Sequence, residues 1–362
     1  MTGRALSVLV VDDSAVVRQA LAAILSGEPD LLVTVAADPY FAMEKMGKAR
    51  PDVIVLDLEM PRMDGMTFLR KIMAEDPIPV VVCSGIAAQG TAAAIRALEA
   101  GAVEVVPKPA LGVQSFLHDA AAELVETIRG AAEAKVTRRG VVAPMALPVS
   151  LLAPPLRAPA PRAGNARLVA IGASTGGTDA LRTILEVMPV DAPPIVITQH
   201  MPAGFTAAFA RRLDGLCRVQ VREARSGDVL LPGTAFVAPG DRHLLVRPQG
   251  AGWSLLLDDG PRVSRHRPSV DLLFDSVARA VGDRGVGVLL TGMGDDGANG
   301  LLAMRQAGAT TICQDEASCV VFGMPREAIA RGAAESVLPL DKIAGAILDR
   351  ARSGRTALQT SR

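Results

Sequence analysis

Three short stretches in the second half of the chain carry the residue types of nucleophilic catalysis. The first is IGASTGG, residues 171–177, where an apolar run meets a serine set among glycines. Gly172, Ser174 and Gly176 fit a G-x-S-x-G elbow, a sharp strand-to-helix turn that pushes the serine hydroxyl into the open. Free amides at the start of the following helix suit an oxyanion. A serine hydroxyl is barely ionised at neutral pH and needs a base. The second stretch, ITQHMP, supplies His200 at the end of the next predicted strand, so both side chains emerge at one sheet edge. The third, LLTGMGDDGANG, supplies Asp295 and Asp296, either of which can orient a histidine and stabilise its charged form. The simpler role for these residues is helix capping, by Ser174 for the helix after it and by either aspartate for its own. Of the other histidines, His243 and His266 sit in turn-rich segments and His118 lies in the first half. His266, in SRHRPSVD, could line the cleft with Arg265 and Arg267.

The first half has a second constellation. Asp12 and Asp13 follow the run SVLVV, and Asp57 lies inside VIVLDLEMPRMDG. In open α/β sheets, ligands sit at the carboxyl ends of strands, which is where all three acids fall. Converging carboxylates repel each other, and a hard divalent cation, most simply Mg²⁺, relieves that repulsion. Ser84 ends the next predicted strand, and Lys108 ends the last, before Pro109. A hydroxyl and an ammonium facing a carboxylate–cation site are what a phosphoryl group on Asp57 requires for its oxygens. Helix capping by Asp12 or Asp13, and a surface Lys108, is the simpler reading of each residue taken alone.

These residues need elements to hold them. SVLVVDD, LVTVAA, DVIVLDL, VVVCS and VEVVPKP read as strands with helical stretches between. RLVAIG, PIVITQ, VGVLLTG and TTICQD repeat the pattern later, followed by the helical stretches TDALRTILEVM, GFTAAFARRL, ANGLLAMRQAG and PREAIARGAAE. Near-continuous Val, Ile and Leu runs mean strands covered on both faces, hence parallel sheets wrapped by helices. Between about 219 and 262, turns and short alternating runs predict a β-hairpin insertion or an antiparallel edge. Prolines at 144, 148, 154, 155, 159 and 161 exclude regular structure between the two halves. The expected layout is an α/β protein of two doubly wound domains, residues 1–135 and 166–352. A proline-rich linker spans 136–165, and 353–362 form a polar, flexible tail.

The chain has 362 residues, 49% of them hydrophobic but only 3% aromatic, so its cores are aliphatic. Lys plus Arg equals Asp plus Glu at 38 each, which gives no electrostatic case for a nucleic-acid partner. The four cysteines, Cys83, Cys217, Cys313 and Cys319, lack C-x-x-C spacing and read as reduced, mostly buried thiols. The first apolar run is too short for a signal-peptide core, and no stretch reaches the roughly 20 apolar residues of a membrane span. A soluble, cytoplasmic protein without membrane insertion is expected.

The acid pair, LDLEMPRMDG, the hydroxyl Ser84 and the Lys-Pro of the first half resemble the receiver domains of two-component response regulators. That resemblance implies a flavodoxin-like parallel sheet and an Asp57 that accepts a phosphoryl group from a histidine kinase. One departure is Val105, three positions before the lysine, where such domains often carry an aromatic switch residue. Gly-Ala-Ser-x-Gly-Gly also resembles the phosphate turn of short-chain dehydrogenases, but those need a catalytic tyrosine. The one tyrosine, Tyr40, lies in the other half. The order Ser, His, Asp also differs from α/β-hydrolases, in which the acid precedes the histidine. IGASTGG, TQHMP, APGDRHL, SRHRPSVD and TGMGDDG, in that order behind a receiver, are similar to the CheB family of chemotaxis protein-glutamate methylesterases. The resemblance implies a Rossmann-like catalytic domain and a triad of Ser174, His200 and Asp296, with the amides of Thr175 and Met293 holding the oxyanion and Asp295 a surface or capping acid. It further implies chemoreceptor substrates, a chemotaxis kinase as phosphodonor, receptor glutamine deamidation, Mg²⁺ in the receiver and no cofactor for the esterase. A receiver-controlled binding module with an inert hydrolase site is the competing reading.

Overall fold

Val, Ile and Leu dominate five stretches of the first half, with Thr34 the one polar residue inside LLVTVA. In the computed structural model each is a strand and helices separate them. The structure describes residues 4–85, 87–109, 114–138 and 167–356. The chain divides into two compact units, Met1–Ala146 and Leu147–Arg362. The division falls inside the expected linker 136–165, most of which lies outside the described residues.

The first unit alternates β1 (Leu6–Val11), α1 (Ala15–Ser26), β2 (Leu31–Ala36), α2 (Pro39–Lys48), β3 (Val53–Asp57), α3 (Gly65–Glu75), β4 (Val80–Ser84), α4 (Ala88–Glu99), β5 (Glu104–Pro107) and α5 (Gln114–Ala132). All pairings are parallel, in the order β2-β1-β3-β4-β5. This is the flavodoxin-like order, whose switch point lies between β1 and β3. The expected Val105 lies buried on β5. The side chain of His118, within α5, lies outside the described residues.

The second unit contains β6 (Leu168–Ala173), α6 (Gly177–Leu185), β7 (Ile195–Gln199), α7 (Phe205–Asp214), β8 (Gln220–Glu223), β9 (Thr234–Val237), β10 (His243–Gln249), β11 (Gly252–Asp258), α8 (Val270–Val281), β12 (Gly285–Leu289), α9 (Ala298–Gln306), β13 (Thr310–Gln314), α10 (Met324–Ala330), β14 (Ser336–Leu338) and α11 (Leu340–Thr356). Seven strands form one parallel sheet, β14-β13-β12-β6-β7-β9-β8, whose switch point lies between β6 and β12. The expected hairpin is β10–β11, a separate antiparallel pair. The edge beside it is not antiparallel: β8 and β9 pair parallel and extend the main sheet. Helix α11 runs to Thr356, four residues into the segment expected as tail, and 357–362 lie outside the described residues.

Helix α8 is buried along Val270, Leu273, Phe274, Val277 and Val281, a face at helical spacing. The hairpin is fastened to it. Trp253 Nε1 donates to the Ala280 carbonyl at 3.0 Å, and Val246 N donates to Ser276 Oγ at 2.9 Å. Ser269 caps the start of α8, its Oγ accepting from Leu272 N. The aliphatic core matches the composition, and Cys83, Cys313 and Cys319 are buried. Burial pushes the Cys83 and Cys313 thiols up to about 12, which suits inert packing rather than reactivity. No helix among the described residues is long and apolar enough to cross a membrane.

In the first unit, Gly65 of the MDG turn lies against the backbone of the strand it follows. A Cβ added there would stand 2.0 Å from the Asp57 carbonyl oxygen and 2.7 Å from Leu58 Cα. Backbone cannot swing aside as a side chain can. Gly65→Ala is therefore expected to destabilise the first unit by about 3 kcal/mol, the upper end of overpacking. The check is urea unfolding of the full-length chain followed by far-UV circular dichroism; an unchanged midpoint contradicts it.

Candidate active site

Strand register sets the site in the second unit. Strands β6 and β7 pair Ala173 with Gln199, and the backbone of His200 extends that ladder by donating to the Ala173 carbonyl at 3.0 Å. Ser174 and His200 are therefore the next residues along two neighbouring parallel strands. On the other side, β12 pairs Leu289 with Gly172, and the Ser174 amide donates to the Thr291 carbonyl at 3.0 Å. The GMGDDG loop that follows Thr291 thus begins beside Ser174. Gly292 makes this possible, because a Cβ there would stand 2.7 Å from Ser174 Cβ and 2.3 Å from Met324 Sδ. Ser174 is not the cap of the next helix: α6 begins at Gly177, with Gly176 at the N-cap position in a left-handed conformation, φ 76°.

Asp296 is the most heavily engaged acid. It is 1% exposed. Its Oδ2 meets His200 Nε2 at 2.8 Å and accepts from Val270 N at 2.7 Å; its Oδ1 accepts from Ser269 Oγ at 2.8 Å and Asp271 N at 3.0 Å. The first amides of α8 therefore solvate it. Burial pushes Asp296 up, but the His200 hydrogen bond and charge and the two amides outweigh burial and hold it below the ordinary carboxylate range. Asp295 behaves differently: it is half exposed and pairs with Arg331 at 2.7 Å. Neither aspartate caps α9, whose N-cap is Gly297.

With Nε2 engaged by Asp296, His200 keeps Nδ1 free, buried and without a hydrogen-bond partner. No hydrogen bond joins Ser174 to His200. The ring of His266 stacks on that of His200, centroids 3.7 Å apart and 12° from parallel. Ser264 and Arg265 lead into it through left-handed conformations, φ 49° and 69°. Burial first, then the charge on His200, push His266 down to about 3. Arg267 braces this loop, bonding Asp241 Oδ1 at 2.7 and 3.0 Å and the carbonyls of Asp259 and Gly260. His243 is fully buried. Its Nδ1 accepts from Ser269 N at 3.2 Å, which leaves Nε2 to donate to the Pro261 carbonyl at 2.9 Å.

Three supporting residues escaped the sequence. Ser269 donates to Asp296 while capping α8, and the signal was a serine just before a helical apolar period. Thr291 Oγ1 donates to the Thr175 carbonyl at 2.9 Å, fixing the Thr175–Gly176 peptide. Gln199, the one long polar side chain in its strand, donates to the Ser174 carbonyl at 2.9 Å. Nothing in the residue types of Thr291 and Gln199 announced these bonds to backbone carbonyls.

In the first unit, the β1–β3 register sets Asp12 just past the Val11–Leu56 pair, beside Asp57. Ligand oxygens of Asp12, Asp13 and Asp57 lie within 4.8 Å of one another, with Asp12 and Asp57 buried and Asp13 exposed. An all-carboxylate set of this spacing fits a hard divalent cation. Burial, and then the charge of Asp57, raise Asp12 above the ordinary range. Lys108 Nζ lies 2.7 Å from Asp57 Oδ2 and 3.4 Å from Asp12 Oδ2. Burial pushes Lys108 down, but Asp57 and Asp12 outweigh it and raise it. Ser84 is buried at the end of β4, where its carbonyl accepts from Lys108 N at 3.0 Å. Ser14, not Asp12 or Asp13, caps α1.

The His266 shift has a pH signature. A base whose proton affinity falls on folding stabilises the fold above its ordinary value of 6.5 and loses that contribution as pH falls towards about 3. The slope is at most about 1.4 kcal/mol per pH unit. His266→Phe keeps a flat ring on His200 and removes the titration. Urea midpoints measured from pH 7 to 4 should fall less steeply for the variant; parallel curves contradict the assignment.

Comparison with known proteins agrees with this layout. Residues 169–347 match the CheB methylesterase family and residues 8–118 the response regulator receiver domain. The chain is 59% identical over 347 residues to a protein-glutamate methylesterase/protein-glutamine glutaminase of Anaeromyxobacter dehalogenans, covering 95% of this chain and 99% of that relative. A relative of the same description from Pseudomonas syringae pv. tomato is 53% identical over 358 residues, covering 97% of this chain and 100% of its own length. Among solved structures, the CheB methylesterase catalytic domain of Thermotoga maritima superposes with a TM-score of 0.50 at 40% identity, covering 51% of this chain and 97% of that one.

Proposed function

The chain belongs to the CheB methylesterase family, with a response regulator receiver domain ahead of the hydrolase, and we propose that Ser174, His200 and Asp296 are its nucleophile, base and orienting acid. The substrate proposed is a glutamate γ-methyl ester on a chemoreceptor, or a receptor glutamine. The observation that carries the assignment is the buried His200–Asp296 bond beside Ser174, with Nδ1 left unpartnered.

In this reaction Ser174 Oγ attacks the γ-carbonyl carbon and its proton passes to His200 Nδ1. Asp296, ionised in its cage of donors, stabilises the resulting imidazolium through Nε2. The stacked, neutral His266 adds an aromatic face to that cation. Charge on the carbonyl oxygen falls on the amides proposed as the oxyanion hole, Thr175 and Met293. Each such donor contributes a factor of about 10²–10³ in rate. The tetrahedral intermediate collapses, and methanol leaves with the proton from His200. Water then gives a proton to His200 and attacks the acyl-serine, releasing glutamate and restoring the Ser174 hydroxyl. For a glutamine, ammonia leaves instead. The ester chemistry calls on no cofactor. A nucleophile–base pair without a direct hydrogen bond, as Ser174 and His200 are here, is of the kind that tightens when substrate binds.

Control lies with Asp57 as acceptor of a phosphoryl group from a chemotaxis histidine kinase. Asp12, Asp13 and Asp57 would hold Mg²⁺, which neutralises charge on the transferred group when bound. Lys108 and the Ser84 hydroxyl would contact its oxygens. Chemoreceptors and the kinase are then the partners, in the cytoplasm, and the zero charge balance argues against nucleic acid.

Methanol release from methylated receptor fragments tests both halves. Ser174→Ala should lower the rate by about four to six orders of magnitude. Asp57→Asn should keep the basal rate and abolish stimulation by a small phosphodonor. Residual turnover in the first variant near the unmodified rate contradicts the nucleophile, and stimulation surviving in the second contradicts the acceptor.

A further inference from the structure

The β6–β7 ladder ends just where the chemistry begins. Its last rung is the His200 amide on the Ala173 carbonyl, and beyond it Ser174 and His200 belong to two separate loops. Nothing in a parallel sheet fixes the spacing of two loops past their final rung. Gln199 supplies that link. It is fully buried at the end of β7. Its Nε2 donates to the Ser174 carbonyl at 2.9 Å and to the His200 carbonyl at 3.0 Å. Carbonyl oxygens only accept, so the amide can face them only with its NH₂ group, and both hydrogens are engaged.

The rest of the side chain shows what this arrangement sacrifices. Oε1 is buried without a hydrogen-bond partner. Leaving a buried acceptor unpaired is destabilising, and an apolar side chain of the same shape avoids it. Oε1 also dictates its neighbour: a Cβ on Gly177 would stand 2.2 Å from it and 2.6 Å from Ala173 Cβ. The φ of Gly177 is not in the left-handed region, so space for Gln199, not backbone freedom, accounts for the second glycine of ASTGG. The Ser174 carbonyl receives a second bond from the Gly177 amide at 2.7 Å, which completes the brace.

The geometry points to Gln199 as a positioning residue for the ester chemistry, its single amide setting the separation of Ser174 and His200 by holding both their carbonyls. This rests on Ser174 and His200 being nucleophile and base. Gln199 acts through their backbone and touches no reacting atom. A misplacement of about 1 Å between reacting groups costs on the order of 10²-fold in rate, so the effect belongs in kcat rather than in substrate binding.

The experiment compares Gln199→Met, Gln199→Glu, Gly177→Ala and Ser174→Ala in the full-length, phosphodonor-treated chain, reading kcat and KM for methanol release between pH 5 and 8. Gln199→Met keeps the length and removes both donors. It should lower kcat about 100-fold with KM within about twofold. Gln199→Glu should be as slow at pH 8 but recover relative to the unmodified chain as pH falls, because a protonated carboxyl restores one donor; a merely structural residue gives no such profile. Gly177→Ala, which displaces Gln199 from the other side, should reproduce the kcat loss, and it decides the question if neither Gln199 variant folds. A kcat within threefold of the unmodified chain in Gln199→Met, or in Gly177→Ala where it is the deciding variant, overturns the inference. If Ser174→Ala also retains turnover, the Ser174 reading itself falls; if Ser174→Ala is inactive, only the role of Gln199 does.

Discussion

A carboxylate with 1% of its surface exposed has to be solvated by the protein, and Asp296 is solvated by four donors from two segments, His200 after β7 and residues 269–271 at the start of α8. Removing one member of a buried ionic cluster leaves a charge uncompensated and costs about 3–5 kcal/mol. Much of the second unit is arranged around that requirement. Helix α8 must start where its first amides reach the acid, Ser269 must cap it, and His243 holds Ser269 from behind. The β10–β11 hairpin, through Trp253 and Ser276, clamps α8 in place. Two of the four bonds come from backbone amides, so the charge is fixed by helix position more than by side-chain choice. The same charge gives His200 its orientation, leaving Nδ1 as the nitrogen toward which a serine proton can move.

Both units solve one problem by one device. A parallel sheet brings residues distant in sequence to adjacent strand ends, and the topological switch point opens a crevice there. In the first unit the crevice gathers like charges, Asp12, Asp13 and Asp57, relieved by Lys108. In the second it gathers a hydroxyl, an imidazole and a carboxylate. Glycines in both units permit close approach: Gly65 against the Asp57 strand, Gly292 against Ser174 and Gly177 against Gln199.

The strands were legible because their runs are uninterrupted and buried on both faces, as in SVLVV and LVAIGA. The helices that follow them were legible by periodicity, except α8 and α11. VDLLFDSVARAV has the helical period, but it follows a turn-rich stretch that drew attention to its loops instead. Strands β8 and β9 read as hairpin-like because they are short and bounded by turns; their parallel pairing depends on partners far along the chain, which no local pattern encodes. The residues with ionisable or nucleophilic groups could be named from sequence because chemistry restricts their types. The resemblance to the CheB family then pointed to Asp296 over Asp295, and the structure pairs these two acids with His200 and Arg331 respectively. Gln199, Thr291 and Ser269 were not named, because what they bind is backbone or a neighbouring acid, and binding backbone places no restriction that a motif records. His266 was placed near the cleft, but its stacking on His200 required the turn through Ser264 and Arg265 to be seen.

The central claim is that one hydroxyl, activated by the His200–Asp296 pair, performs the hydrolysis. The most direct measurement is titration of methanol release against the fraction of chains carrying a fluorophosphonate label, with the labelled residue mapped by mass spectrometry. The expected result is a single label on Ser174 and activity falling in a straight line to zero at one label per chain. Label on a different residue, or turnover persisting when Ser174 is fully modified, would contradict the account.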